Sequence, residues 1–284
     1  MIEFLKELIK IILSLFSKKD DENNGTVVTE PTNGSETDPE PITDPEPAQQ
    51  EQNNAEETES QNTNNMEESV YSKIRVHIDY GHASTTPGKR SSYLCSGVLP
   101  AIEVYEWKSN REIGGRIKEG LENLGFSVHV VTPENDVDVP LTQRYLRANN
   151  DKKQHPEMKH LFLSVHSNAH GHGDAWTTAR GWSVYTTKGQ NNSDKFADCV
   201  YYQAKENLPK LGATTRQQMS DGDPDYEENF TVIYGANMPA ILTENLFYTN
   251  VEDAKILLSE EGKRLLADIH INGIKDYADK YLLK

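Results

Sequence analysis

Leu161-Phe162-Leu163-Ser164-Val165-His166-Ser167-Asn168 decides the fold. Its near-continuous apolar run, ending in polar residues, reads as a buried strand whose carboxyl end carries chemistry. Upstream, residues 74–79 alternate and read as a strand, as does 126–131. Between them, Ile113, Ile117, Leu121 and Leu124 fall on one helical face, and Gly125 supplies the stop. Residues 141–149 read as a second helix. Downstream, 181–185 and 239–243 read as strands, and 193–207 as a helix capped by Ser193. Asn250 caps a following helix with Asp253 in capping-box position, and 257–283 carries a long helical pattern. Strands alternating with helices predict a single α/β domain: a central, mostly parallel or mixed sheet flanked by helices.

Composition sets the limits of that domain. The chain has 284 residues and a net charge of -16. Residues 20–70 hold fifteen Asp or Glu and no Lys or Arg, and 1–19 carry a net +2, which leaves about -3 for 71–284. The acidity therefore belongs to one segment. No basic patch of the kind nucleic-acid binding needs is present. Residues 20–70 are rich in Glu, Asn, Thr, Gln and Pro, with the near-repeat Thr37-Asp38-Pro39-Glu40-Pro41 and Thr43-Asp44-Pro45-Glu46-Pro47. They hold too little apolar surface to offset the entropy of ordering and are expected to form a disordered, extended linker. The 71–284 segment is long enough for one domain with a full core. Cys95 and Cys199 make no disulfide framework and no Cys-rich metal spacing.

Residues 2–16 form an amphipathic pattern with a narrow polar stripe of Glu3, Lys6, Glu7, Lys10 and Ser14. The pattern is too short and too charged to span a bilayer, which takes about 20 apolar residues. No small-residue cleavage site follows it. A helix here suits a membrane interface or a partner helix; otherwise it is a terminus that orders only on contact.

The chemistry gathers in four segments. Asp79-Tyr80-Gly81-His82, Glu106 at the start of its helix, Ser164-Val165-His166-Ser167-Asn168, and Leu242-Thr243-Glu244-Asn245 each present one metal-binding or acid–base side chain. In α/β folds, sites collect at the carboxyl ends of strands, where His82, His166 and Glu244 fall. Two His and one carboxylate suit a catalytic zinc with an open position, whose bound water then ionises near pH 7. Glu244 ends a buried run, where a carboxylate needs a partner or a role, and it suits proton transfer. Taken singly, His82 reads as a loop histidine, His166 as a core histidine and Glu106 as a surface helix residue. Arg144 and Arg180 suit substrate carboxylates, or structural ion pairs. Asn168 and Arg144 are candidates for oxyanion contact. Trp176, Trp182, Tyr185 and Tyr226 would line a groove or simply pack. His170 and His172 read as a rim loop, and His77, His129, His155, His160 and His270 as outside any ligand spacing.

Over residues 73–281 the chain resembles the zinc-dependent N-acetylmuramoyl-L-alanine amidases of the type-3 class. The Gly81-His82 turn is similar to that family's first zinc-ligand segment. Glu106, nineteen residues before Gly125, resembles its second ligand, and Ser-Val-His166-Ser-Asn-Ala its third. Pro-Ala-Ile-Leu-Thr-Glu244-Asn-Leu-Phe resembles the segment of its catalytic glutamate. Three features depart from the pattern: Ala83 stands where a Gly is usual, Glu244-Asn245-Leu246-Phe247 replaces Glu-x-Gly-Phe, and residues 85–102 form an insert. Pro87-Gly88-Lys89-Arg90-Ser91, Ala179-Arg180-Gly181-Trp182 and Asp223-Pro224-Asp225-Tyr226-Glu227-Glu228-Asn229-Phe230 look similar to amidases of Bacteroides-type bacteria and their phages.

The resemblance implies a monomeric enzyme that uses Zn2+ to hydrolyse the amide between N-acetylmuramic acid and L-alanine in peptidoglycan. It would act at the cell wall or in the periplasm, in remodelling or as an endolysin. Its route there would be phage-lysin-type release or a membrane-surface tether. A zinc carboxypeptidase-like peptidase and a non-catalytic wall-binding protein are the rival expectations.

Overall fold

Six strands order as β2-β1-β3-β6-β4-β5 in one sheet. This computed structural model describes residues 68–91, 103–171 and 175–284. The chain divides into two units, of which the first, Met1–Asn62, lies outside the described residues. So do the predicted 2–16 helix, Cys95, His172 and most of the 85–102 insert.

The elements run β1 (Ile74–Tyr80), α1 (Glu106–Asn123), β2 (Ser127–Val130), α2 (Leu141–Gln154), β3 (Lys159–Asn168) and β4 (Ser183–Thr186). They continue with α3 (Asn192–Asn207), β5 (Tyr226–Glu227), α4 (Thr231–Tyr234), β6 (Ala240–Phe247), α5 (Val251–Leu258) and α6 (Glu260–Tyr277). β2, β1, β3 and β6 are mutually parallel. β4 runs antiparallel to β6 and carries β5 parallel at the edge. The mixed α/β sheet is the architecture the alternation predicts.

Side-chain alternation gives the sheet two unlike faces. Ile74, Val76 and Ile78 of β1 and Leu161, Leu163 and Val165 of β3 enter the large core. There they meet Ile113, Ile117 and Leu121 of α1, Phe196 and Val200 of α3, and Leu266 and Ile274 of α6. The opposite face has a smaller apolar cluster, in which Phe162, Ala240 and Leu242 pack with Ala148 of α2 and Val232 and Ile233 of α4. His77, Asp79, Ser164 and His166 alternate onto this second face and are all buried. The sequence thus dedicates one face to packing and lays a polar row along the other.

Several boundaries differ from the sequence reading for local physical reasons. The α3 cap is Asn191, not Ser193: its side chain accepts from Ser193 N, and Asp194 completes a capping box. Asn250 caps α5 as expected, accepting from Glu252 and Asp253 N–H. The Asp253 carboxylate does not close the box; it turns to Gly181 N and Phe247 N. The single 257–283 helix is two, because Ser259 ends α5 and caps α6 by accepting from Gly262 N. β6 runs beyond Thr243 to Phe247, so Glu244 lies inside a strand rather than after one.

Candidate metal centre

The site is assembled from the ends of β1, β3 and β6 and the first turn of α1. β1 closes at Tyr80, and the chain turns at Gly81-His82, with His82 in the left-handed region at φ 63°. That conformation is uncommon for a non-glycine and is held here by outside contacts. Asn110 Nδ2 donates to Gly81 O at 3.0 Å, and Arg111 Nη1 donates to His82 O at 2.8 Å. Gly81 N donates to Val165 O at 3.0 Å, tying the turn to β3. Arg111, which the sequence reading passed over, also reaches Asn135 and the Glu134 carbonyl, so α1 clamps the loop bearing His82.

These constraints bring His82, Glu106 and His166 together, with one donor atom from each within 4.8 Å of the others. His166 Nδ1 is 3.1 Å and His82 Nε2 3.4 Å from Glu106 Oε1. Ligands of a tetrahedral zinc lie roughly 3.4 Å apart, so the three donors fit such an ion. Glu106 Oε1 thus faces both rings, while Oε2 is buried without a hydrogen-bond partner and lies 3.9 Å from Lys89 Nζ. Burial pushes the His82 pKa down to about 4 against the pull of Glu106, which keeps the ring in its ligating, neutral form. Burial also acts to raise Glu106, but the His166 hydrogen bond and the charges of His82, His166 and Lys89 lower it overall. For His166, burial disfavours protonation, but contact with Glu106 outweighs it and the pKa rises.

Glu244 pairs in register with His166 on the neighbouring strand. Its Oε2 is buried without a hydrogen-bond partner, while the residue as a whole is half-buried. Burial raises its pKa to about 8, with His166 opposing and Glu106 adding. Just beyond it a bulge separates the His166–Glu244 pair from Asn168–Phe247, and Leu246 takes φ 67°. The backbone therefore adopts at Leu246 the left-handed conformation that a glycine would take freely. Asn245, pointing to the other face, donates to His166 O at 3.0 Å and accepts from Trp182 Nε1 at 3.0 Å, fixing the ligand strand from behind.

Close approach, rather than a positive φ, makes Gly81 necessary. A Cβ there would lie 2.3 Å from His166 Cε1 and 2.5 Å from both ring nitrogens. Gly81→Ala is expected to displace that ring and weaken metal binding at this cluster by about 10–100-fold. The readout is the chelator concentration that strips the metal; retention equal to the parent protein would show that the ring has room.

The remaining candidates divide. Arg144 lines the cleft with His82, His166, Thr86, Asp138 and Leu141. Its donors are committed, however: to Val139 O at 2.8 Å, Asp79 Oδ1 at 3.1 Å and Asp138 Oδ1 at 2.9 Å. Asp79 also accepts from Ser164 Oγ at 2.6 Å. Of its three readings, substrate carboxylate, oxyanion contact and structural ion pair, the ion pair is the one the geometry shows. Arg180 likewise pairs with Asp253 at 3.1 Å and donates to Gly212 O, beside a pocket lined by α5 residues rather than by the metal donors. The Asn168 side chain accepts from Ala169 N at 2.8 Å at the end of β3. Trp182 is fully buried core, whereas Tyr185 and Tyr226 pair, with ring centroids 5.2 Å apart. His170 is exposed.

Four of the histidines without ligand spacing, His77, His129, His155 and His160, do meet, because β1, β2 and β3 lie side by side. His77 contacts His129 and His160 at 3.0 Å each, and His160 Nε2 donates to His155 O at 2.9 Å. One set of neutral tautomers satisfies this chain, and burial holds His77 at about 3. Asp151, held by Arg75 Nη2 at 2.8 Å, closes the group. Strand adjacency created the cluster, which spacing along the chain does not show.

The ends of the α/β sheet thus bring together a His-Glu-His set that could hold a metal ion and a second carboxylate, Glu244, beside it. Residues 76–276 match the N-acetylmuramoyl-L-alanine amidase family, and the chain belongs to it. It is 27% identical over 246 residues to the N-acetylmuramoyl-L-alanine amidase AmiC of Neisseria meningitidis, covering 74% of this chain and 54% of AmiC. It is 29% identical over 202 residues to the endolysin of Bacillus phage SPP1, covering 71% of this chain and 65% of the endolysin. The chain thus spans about half of one relative and just under two thirds of the other. Among solved structures, an N-acetylmuramoyl-L-alanine amidase of Clostridium difficile 630 superposes with TM-score 0.58 at 24% identity, over 74% of this chain and 99% of its own. The catalytic domain of the amidase CwlV of Bacillus (Paenibacillus) polymyxa gives 0.57 at 23% identity, over 72% and 98%. At those identities the likeness is one of fold.

Proposed function

We propose that this protein hydrolyses the amide between N-acetylmuramic acid and L-alanine in peptidoglycan, with zinc held by His82, Glu106 and His166 and Glu244 as the acid–base residue. The observation that carries the proposal is the convergence of the three donors, with Glu244 paired in register to one of them. Family membership supplies the substrate class. When bound, zinc supplies Lewis-acid polarisation of the scissile carbonyl and an acidified water. Glu244 takes a proton at its free carboxylate oxygen and returns it to the leaving amine of L-alanine. Burial raises its pKa to about 8 in the metal-free chain, and a zinc ion alongside would pull it back down toward the neutral range. Asn110 and Arg111 hold the turn that carries His82, and Asn245 holds the backbone of His166. Action on the wall places the working enzyme outside the cytoplasmic membrane. Among the described residues no helix is long and apolar enough to cross a membrane.

Removal of the metal tests the reading. Treatment with a strong chelator is expected to abolish release of material from purified wall, and one equivalent of zinc per chain is expected to restore it. His166→Ala should not be restored by the same addition. Full activity in protein shown by elemental analysis to be metal-free would overturn the proposal.

A further inference from the structure

A second polar cluster lies away from the catalytic end of the sheet, in a motif the amidase chemistry leaves unused. Asp223-Pro224-Asp225 leads into edge strand β5, and Asp194 sits in the first turn of α3. One oxygen from each of these three carboxylates lies within 4.8 Å of the others. Asp225 is 1% exposed and Asp194 3%. Asp225 Oδ1 and Asp223 Oδ1 are buried with no hydrogen-bond partner, as is Oδ1 of Asp198, one turn further along α3. Among the described residues, no Lys or Arg forms an ion pair with Asp194, Asp223 or Asp225.

The partners these carboxylates do have are neutral. Thr186 Oγ1, at the end of β4, is placed between Asp225 Oδ2 and Asp194 Oδ1. Asn191 N donates to Asp194, and Gln190 Nε2 donates to Asp223 Oδ2 at 2.8 Å. Unpaired buried carboxylates are expensive unless a proton or a cation neutralises them. Burial and the adjacent Asp223 push the Asp225 pKa up to about 8, the signature of a carboxylate in need of one or the other.

We propose that Asp194, Asp223 and Asp225, with Thr186 beside them, bind one calcium ion that fastens the loop before β5 to β4 and α3. The donors are all hard oxygens, which select calcium over zinc. Two oxygens on one calcium, each at about 2.4 Å, lie at most about 5 Å apart, so a single ion spans the measured cluster. Three carboxylates in an irregular loop-and-helix cradle suit the flexible coordination of calcium better than the strict octahedron of magnesium. The ion's structural effect falls on β5, whose Tyr226 ring pairs with Tyr185 of β4. Arg216 bridges this region, with its guanidinium over the rings of both Tyr226 and Phe247. The site is independent of the zinc donors, so its test reads binding and stability rather than wall hydrolysis.

The test uses the full chain with its zinc retained, freed of calcium with a calcium-selective chelator. Titration with CaCl2 is followed by calorimetry and by thermal unfolding. One calcium per chain is expected, with a dissociation constant of about 10⁻⁵–10⁻³ M and a melting temperature raised by roughly 3–8 °C at saturation. Asp225→Asn and the more exposed Asp223→Asn should each lose that response while keeping their zinc. The proposal is overturned if the parent protein neither binds calcium nor gains stability at concentrations tenfold above that range. It also fails if MgCl2 binds in place of calcium, or if Asp223→Asn responds as the parent does. A parent protein stabilised by mild acidification but indifferent to calcium would show a shared proton instead, and would equally overturn it.

Discussion

Glu244→Gln is expected to lower turnover of purified cell wall by about 10²–10⁴-fold while leaving one metal per chain. The substitution keeps the shape and the strand pairing with His166 but removes the group that carries the proton. It should not cost stability. In the metal-free protein the Glu244 carboxyl has a pKa raised from 4.5 to about 8, chiefly by burial. A carboxyl raised on folding costs stability once pH exceeds its unfolded value, and the cost grows until pH passes the folded value. Metal-free parent protein should therefore fall behind Glu244→Gln in melting temperature as pH climbs through that window. Parent-like turnover in the variant would remove Glu244 from the proton-transfer role. Lost metal in the variant would make it a ligand.

The second large effect is on stability. Asp79 is fully buried and pairs with the buried Arg144 at 3.1 Å, with Ser164 and Thr132 completing its shell. Asp79→Ala leaves a buried guanidinium with only the partly exposed Asp138 as counter-charge and is expected to cost about 3–5 kcal/mol. For a domain of this size that lowers the melting temperature by roughly 6–20 °C. Asp79→Leu combined with Arg144→Met should recover most of the loss, because removing both charges removes the desolvation penalty as well. Loss of less than about 1 kcal/mol in Asp79→Ala, the range of an exposed pair, would show that the pair contributes little. If Arg144 served substrate rather than structure, its single Met variant would fail in binding while melting like the parent.

The contrast between these two residues shows what the chain discloses of itself. β3 is readable because a strand buried on both faces must be apolar along most of its length, and its two polar ends then stand out. The proposed ligands stand out in the sequence for a related reason: each lies next to a strand end or in a first helical turn, where local pattern says which way a side chain faces. Asp79 belongs to the same polar row, yet its partner Arg144 lies 65 residues away on α2. Only the packing of α2 on the second face of the sheet joins them. The histidine cluster was hidden for the same reason, since it exists through the lateral order β2-β1-β3.

The break at Ser259 is a competition between a helical pattern that runs on and a serine that caps better than it propagates. Leu246 shows the reverse case. The sequence departs there from the resembled Glu-x-Gly-Phe pattern, and Leu246 itself takes the left-handed conformation that a glycine adopts freely. Packing of a fully buried leucine offsets a backbone cost on the order of 1 kcal/mol.

Product analysis reads out which bond the enzyme cuts. Purified peptidoglycan is digested with the full chain, and the new termini are labelled and separated. The expected result is new N-terminal L-alanine matched by intact muramic acid with a free lactyl carboxylate, and neither product after chelation. Release of a C-terminal amino acid from the stem peptide, with no new N-terminal alanine, would contradict it and mark the site as that of a carboxypeptidase.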